Sequence, residues 1–277
     1  MSEKISIKEI GNNLVKGGRL KTRPLCIYGS ETVPENAITS TKLHFCIGNA
    51  MIALAMRKDV KIMYYGKDIK WGSCPGARAW LGYEGFNPFL QYFLSTGYKN
   101  TPSENLVATP ELALDKLNSV GKITPVGKYT IIRVCEDVSE EEALDVKAII
   151  CFGGAEQIRN LCMLAYFDVN TAFNAIQMPW GSSCSSFITH PAGLGENSPK
   201  NCVIMGPMDP TDNYFFPPNI LSLGIPIDFA RRMSSNLENS FIIKRANVAY
   251  PEERIETTKN FTQEELNEFA KKLFGRH

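Results

Sequence analysis

Apolar residues recur at helical spacing across residues 5–15, through Ile10 and Leu14, and Gly17-Gly18 ends that run. The chain then turns to short β-branched and aromatic runs. Residues 25–28, 60–65, 128–135, 146–152, 174–178 and 202–206 read as strands. Residues 220–225 read as a strand feeding a helix begun by Pro226, and 241–243 as a short edge strand. Residues 41–57 form a mostly apolar helical stretch. Thr109-Pro110-Glu111 supplies a cap, a proline at the first helical position and an early acid, so a helix should run to about Leu117. Gly153-Gly154 leads into a helix over 155–166 with Ile158, Leu161, Cys162 and Ala165 on one face. Together with strand 146–152 this makes a βα unit. Thr262 and Glu265 make a capping box ahead of Leu266, Phe269, Leu273 and Phe274. The interleaving predicts an α/β (or α+β) fold with a mixed β-sheet flanked by helices. One domain should span 1–277, with helical extensions at 1–23 and 247–277.

Charge narrows the partners. The formal net charge is +1, with no long basic or acidic block, so neither nucleic acid nor an anionic membrane is indicated. The polar start Met1-Ser2-Glu3-Lys4 runs into Ile5, Ile7 and Ile10, unlike a signal peptide. The apolar stretch 45–56 is too short to span a bilayer. A soluble, cytoplasmic protein is expected. Glu140-Glu141-Glu142 reads as a solvated charge run, and Arg231-Arg232 as a surface helix face, with pairing to carboxylates or an anion site as the alternatives.

Eight cysteines are many for 277 residues. In a cytoplasmic chain they point to buried thiols, a metal site or redox chemistry rather than disulfides. Cys26, Cys135, Cys151 and Cys202 lie in β-like apolar runs and Cys162 on an apolar helix face, so core packing is their expected role. The other three differ. Trp71-Gly72-Ser73-Cys74 is echoed by Trp180-Gly181-Ser182-Ser183-Cys184, and only three tryptophans occur in the chain. Cys46 opens the apolar run after Ser40-Thr41, which offers a cap. A thiol at a helix start meets partial positive charge and free N–H groups, both of which favour the thiolate. Cys46, Cys74 and Cys184 are therefore candidate metal ligands, for an iron–sulfur cluster or zinc with an open position. Trp71, Gly72, Trp180 and Gly181 are candidate ligand-binding residues. His44 and His190 are candidate catalytic bases. His277 is terminal.

The residues Phe45-Cys46, Cys74-Pro75-Gly76-Ala77 leading to Leu81-Gly82, the strand and helix of 146–164, Cys184, and Ile225-Pro226 follow one another in an order that resembles the uncharacterised prokaryotic family called domain of unknown function 169. The resemblance covers roughly residues 24–246 and implies no established reaction. It implies a distribution in archaea and anaerobic bacteria, which suits an oxygen-sensitive thiol site. The leading expectation is a three-cysteine metal or iron–sulfur site that binds or transforms a small molecule. The alternatives are a metal-free thiol enzyme using a Cys–His pair, and a non-catalytic small-ligand-binding module or homo-oligomer built on the aromatic surface around Trp71, Trp80, Tyr83, Phe86, Phe89, Tyr92 and Phe93. Whether the protein is an enzyme stays open.

Overall fold

Leu25 and Ile27 enter one apolar core, while Cys26 and Tyr28 enter another. Successive strand residues point to opposite faces, so this strand, β1 (Leu25–Ser30), is covered on both sides. The same division holds along β4 (Tyr129–Val134), where Ile131 and Ile132 part company, and along β5 (Ala148–Gly153), where Ile149 and Cys151 oppose Ile150 and Phe152. These near-continuous apolar runs are what a sheet buried on both faces requires.

The computed structural model describes residues 5–69, 73–209, 216–252 and 262–274. Four further short strands and one longer one complete the sheet: β2 (Ile38–Thr39), β3 (Ile62–Gly66), β6 (Ile176–Gln177), β7 (Val203–Gly206) and β8 (Leu221–Pro226). The spatial order is β2-β3-β4-β1-β5-β8-β7-β6. The two outer pairs, β2 with β3 and β6 with β7, are parallel, and the pairs between them are antiparallel. The sheet is mixed and flanked by helices, as expected for an α/β chain.

Helix α1 (Ile7–Gly18) begins where the Ser6 hydroxyl accepts the Glu9 N–H. It seats Ile10 and Leu14, both fully buried, on the first sheet face. Helix α1 is thus a layer of the core. Helices α6 (Ala155–Tyr166) and α7 (Ile227–Asn236) share that face through Ile158, Leu161, Phe229 and Met233. The second face carries α2 (Ile47–Met56), α3 (Pro75–Trp80), α5 (Pro110–Ser119) and a π-helical turn, Ser185–Thr189. Their Met51, Leu54, Trp80, Leu117 and Phe187 fill the second core. Helix α4 (Leu90–Leu94) buries no residue fully. Helices α8 (Phe241–Lys244) and α9 (Ala246–Ala249) follow α7, and α10 (Gln263–Phe274) carries the capping box, with Thr262 and Glu265 exchanging hydrogen bonds.

Three expectations need correction. Residues 241–243 are helical: the Ser240 carbonyl accepts the Ile243 and Lys244 N–H groups, so local bonds satisfy the run while Ile242 alone is buried. The helix expected over 41–57 starts at Ile47 instead, with Ser40–Lys42 a separate 3-10 turn. Its cap position is Cys46, whose extended backbone breaks helical continuity, and not Ser40 or Thr41. Glu142 is no solvated surface charge. It is partly buried, receives the Tyr28 hydroxyl at 2.6 Å and pairs with Arg133. Burial pushes the Tyr28 hydroxyl far up, and its bond to Glu142 adds to that shift. The Arg231-Arg232 pair meets carboxylates: Arg231 pairs with Asp228 and Arg232 with Asp168.

Candidate functional site

Cys46, Cys74 and Cys184 each hold the cap position at the start of a helical segment: α2, α3 and the π turn. The local chemistry is visible at each. At Cys46, the backbone N–H donates to His44 Nδ1 at 3.1 Å, and the carbonyl accepts the Ala50 N–H. At Cys74, Pro75 follows at the first helical position, where its missing N–H costs nothing. At Cys184, Sγ lies 3.1 Å from Ser182 Oγ, and the Ser182 carbonyl accepts the Ser185 N–H. Cys46 and Cys184 are buried and Cys74 is half-buried.

Direct contacts draw the three segments together. The Cys74 N–H donates to the Phe45 carbonyl at 3.0 Å, tying the loop after β3 to the start of α2. A Cβ placed on Gly48 would lie 3.1 Å from Ser183 Cβ, so the first turn of α2 abuts the segment that carries Cys184. Tyr65, at the end of β3, bonds through its hydroxyl to Ser73 Oγ at 3.2 Å. Burial raises the Tyr65 pKa; the Ser73 bond and Arg78 lower it, and the nearby Cys184 and Cys74 thiols raise it further. Tyr65 therefore stands within electrostatic reach of two of the three thiols. Arg78 fixes the loop from the other side, donating to the Ile69 carbonyl at 2.9 Å and pairing with Glu84.

The neighbours proposed from sequence divide. Trp71 and Gly72 lie outside the described residues, as does His277. Gly181 has φ +154°, and a Cβ there would lie 2.4 Å from Ser185 Oγ and 3.2 Å from the Trp80 ring. It gives the π turn room to pack on Trp80. Trp180 packs against the second core and lies under Lys116, whose Nζ is 5.3 Å from the ring centroid. His44 serves as the acceptor for the Cys46 N–H, which places a lone pair on Nδ1. His190 faces elsewhere: Nδ1 lies 3.1 Å from Ser198 Oγ, and its ring meets Trp80 edge-on. Its Nε2 is buried without a hydrogen-bond partner. Burial lowers the His190 pKa to about 4, so the ring is neutral at pH 7. Of the aromatic set, Trp80 and Tyr83 are core residues, whereas Phe89 and Phe93 are exposed.

Among the described residues, no group of three or more His, Cys, Asp or Glu side chains stands ready-made for a metal ion. The cap positions converge, but the sulfurs are not arranged as a ligand set. The remaining cysteines behave as core residues. Burial pushes the Cys151 thiol up to about 12 and the Cys162 thiol up to about 11, and also raises Cys202. Cys135 is raised well above the ordinary thiol value by burial and by its contact with Cys26. Sequence reasoning missed Tyr65, Ser182 and Ser198. Ser182, two residues before Cys184, was readable in the Trp-Gly-Ser echo. Tyr65 and Ser198 are brought in by tertiary packing alone.

A model of the family domain of unknown function 169, described as uncharacterised ArCR, matches residues 13–236. The chain belongs to this family. The match opens inside α1 and closes at the last residue of α7, so the whole sheet and all three cysteine loops lie within the family's extent. No curated protein and no solved structure matches the chain. Among the described residues, no helix is long and apolar enough to cross a membrane.

Proposed function

We propose that Cys46, Cys74 and Cys184 form a thiolate site that takes up zinc or an iron–sulfur cluster and binds or transforms a small molecule there. The observation that carries this reading is the convergence of three cysteine-capped segments, tied by the Cys74–Phe45 backbone bond and the Gly48–Ser183 contact. Soft thiolates suit zinc and iron–sulfur clusters, and three protein ligands leave a position open. Bound there, the metal would supply Lewis-acid or electron-transfer chemistry at that position.

The chain's own residues do the rest. Each of the three cysteines stands at the start of a helical segment, a position whose partial positive charge suits a metal-binding thiolate. Ser182 lies within hydrogen-bond distance of the Cys184 sulfur, and its hydroxyl can donate to that sulfur as a metal-bound thiolate. Tyr65 lies beside Cys74 and Cys184 and is protonated at pH 7, as a tyrosine ordinarily is, with burial raising its pKa further. The alternative of a Cys–His pair draws no support from His190, whose Nδ1 is turned to Ser198.

Purification without oxygen, followed by assay of iron, acid-labile sulfide and zinc and by visible absorption, tests the reading. Iron with equivalent sulfide, or about one zinc per chain, is the expected result. A metal-free protein that also fails to take up either metal on reconstitution would overturn it.

A further inference from the structure

Residues 122–126 ahead of β4 and residues 192–200 ahead of β7 run side by side. Thr124 donates its N–H to the Leu194 carbonyl and Glu196 its N–H to the Lys122 carbonyl, each at 2.9 Å. Between these loops and Lys147, just before β5, lies a cleft of about 570 Å³. That volume is in the range of small-molecule sites. Lys122, Lys147 and Lys200 line it, and all three are exposed. None of the three forms an ion pair among the described residues. Glu196 is the one carboxylate in the lining, and its Oε2 accepts the Lys122 backbone N–H at 3.2 Å. Three ammonium groups against one carboxylate leave two positive charges in excess.

The floor is built differently from the rim. Ser198 lines the cleft yet is buried, and its Oγ accepts the Gly195 N–H at 3.2 Å. His190, 4% exposed, lies behind it with Nδ1 3.1 Å from the same oxygen. A hydroxyl oxygen has two lone pairs and one proton. If Nδ1 carries the imidazole proton, Ser198 accepts from both Gly195 and His190, and its own O–H is left to donate into the cleft. That tautomer also leaves Nε2 as a bare lone pair rather than an unpaired buried N–H, and Nε2 has no hydrogen-bond partner.

We propose that this cleft binds the phosphoryl group of a small phosphorylated molecule, with Lys122, Lys147 and Lys200 supplying charge and Ser198 a directed hydrogen bond. Lysine ammonium groups suit a compact tetrahedral dianion, whereas planar carboxylates are matched best by the arginine fork, and no arginine lines the cleft. The volume exceeds that of phosphate itself, leaving space for an organic remainder against Pro125, Val126 and Leu194. The inference is independent of the thiol site.

Calorimetric titration at fixed ionic strength with inorganic phosphate, glycerol phosphate and succinate tests it. Both phosphates should saturate one site, glycerol phosphate more tightly, and succinate should bind more weakly than either. Replacing Lys122, Lys147 and Lys200 by Gln should weaken glycerol phosphate by at least about tenfold, since bonds to charged groups are the strong ones. The three side chains are exposed, so the fold should survive, as a thermal melt would verify. Ser198→Ala should weaken phosphate more than succinate. Absence of saturable binding, equal affinity for succinate, or unchanged affinity in the triple variant would each overturn the proposal.

Discussion

Gly48 and Ser183 meet where α2 begins: a Cβ added to Gly48 would lie 3.1 Å from Ser183 Cβ and 3.3 Å from the Phe187 ring. This contact seats the Cys46 cap beside the segment carrying Cys184. Replacing Gly48 with Val forces two further carbons into a filled space. Overpacking of this kind costs about 1–3 kcal/mol. Gly48→Val should lower the urea midpoint by a corresponding amount. It should also impair metal uptake more, relative to the stability lost, than a substitution on the opposite sheet face.

That comparison substitution is available in α1. Ile10 is fully buried among the first-face core residues. Ile10→Ala should cost about 2–5 kcal/mol through lost burial and the cavity left behind. A loss below about 0.5 kcal/mol in equilibrium denaturation, the range of surface substitutions, would mean that α1 is not a layer of the core.

Thiol reactivity should follow exposure and helical position. Cys74 is the half-buried member of the three cap cysteines, while Cys26, Cys151 and Cys202 are fully buried. With limiting alkylating agent on the metal-free, folded protein, Cys74 should label first. Cys151 and Cys202, whose thiols burial pushes up, should label only on unfolding. Peptide mapping that found Cys151 or Cys202 ahead of Cys74 would contradict this order.

His190 gives the stability a pH dependence. Its pKa falls to about 4 in the folded protein, below the ordinary value of 6.5, because burial disfavours the charged ring. Between those values the unfolded chain binds a proton that the folded chain does not. The His190 contribution is therefore complete above pH 6.5 and declines as pH falls towards 4. A shift of this size corresponds to about 3 kcal/mol. His190→Gln cannot titrate, so the difference between wild type and variant should shrink or reverse over that window. A parallel pH dependence of the two proteins would show that His190 titrates normally.

The periodic parts of the fold were legible from residues alone. Thr109 caps α5, and α6 spans 155–166, because capping and apolar spacing are local properties. The junctions at Cys74 and Cys184 were legible for the same reason, since Gly, Ser and Pro stand around them, whereas the cap at Cys46 was read too early, at Ser40-Thr41. Residues 241–243 were misread because three β-branched or aromatic residues fit either period, and the choice fell to where Ile242 could be buried. The two-residue strand β2 carries too little pattern to announce itself. Glu142, in a 3-10 turn, looked like a surface acid because its partners Tyr28 and Arg133 lie on strands β1 and β4. Tyr65 beside the thiols and Ser198 beside His190 were hidden for that same reason.

The central claim concerns three thiols out of eight. Metal content per chain, measured on anaerobically reconstituted wild type and on Cys46→Ser, Cys74→Ser, Cys184→Ser, Cys162→Ser and Cys202→Ala, tests it most directly. The account predicts that each of the first three substitutions removes most of the bound metal and that the last two leave it in place. Full metal content in any of the first three, or equal losses across all five, would contradict it.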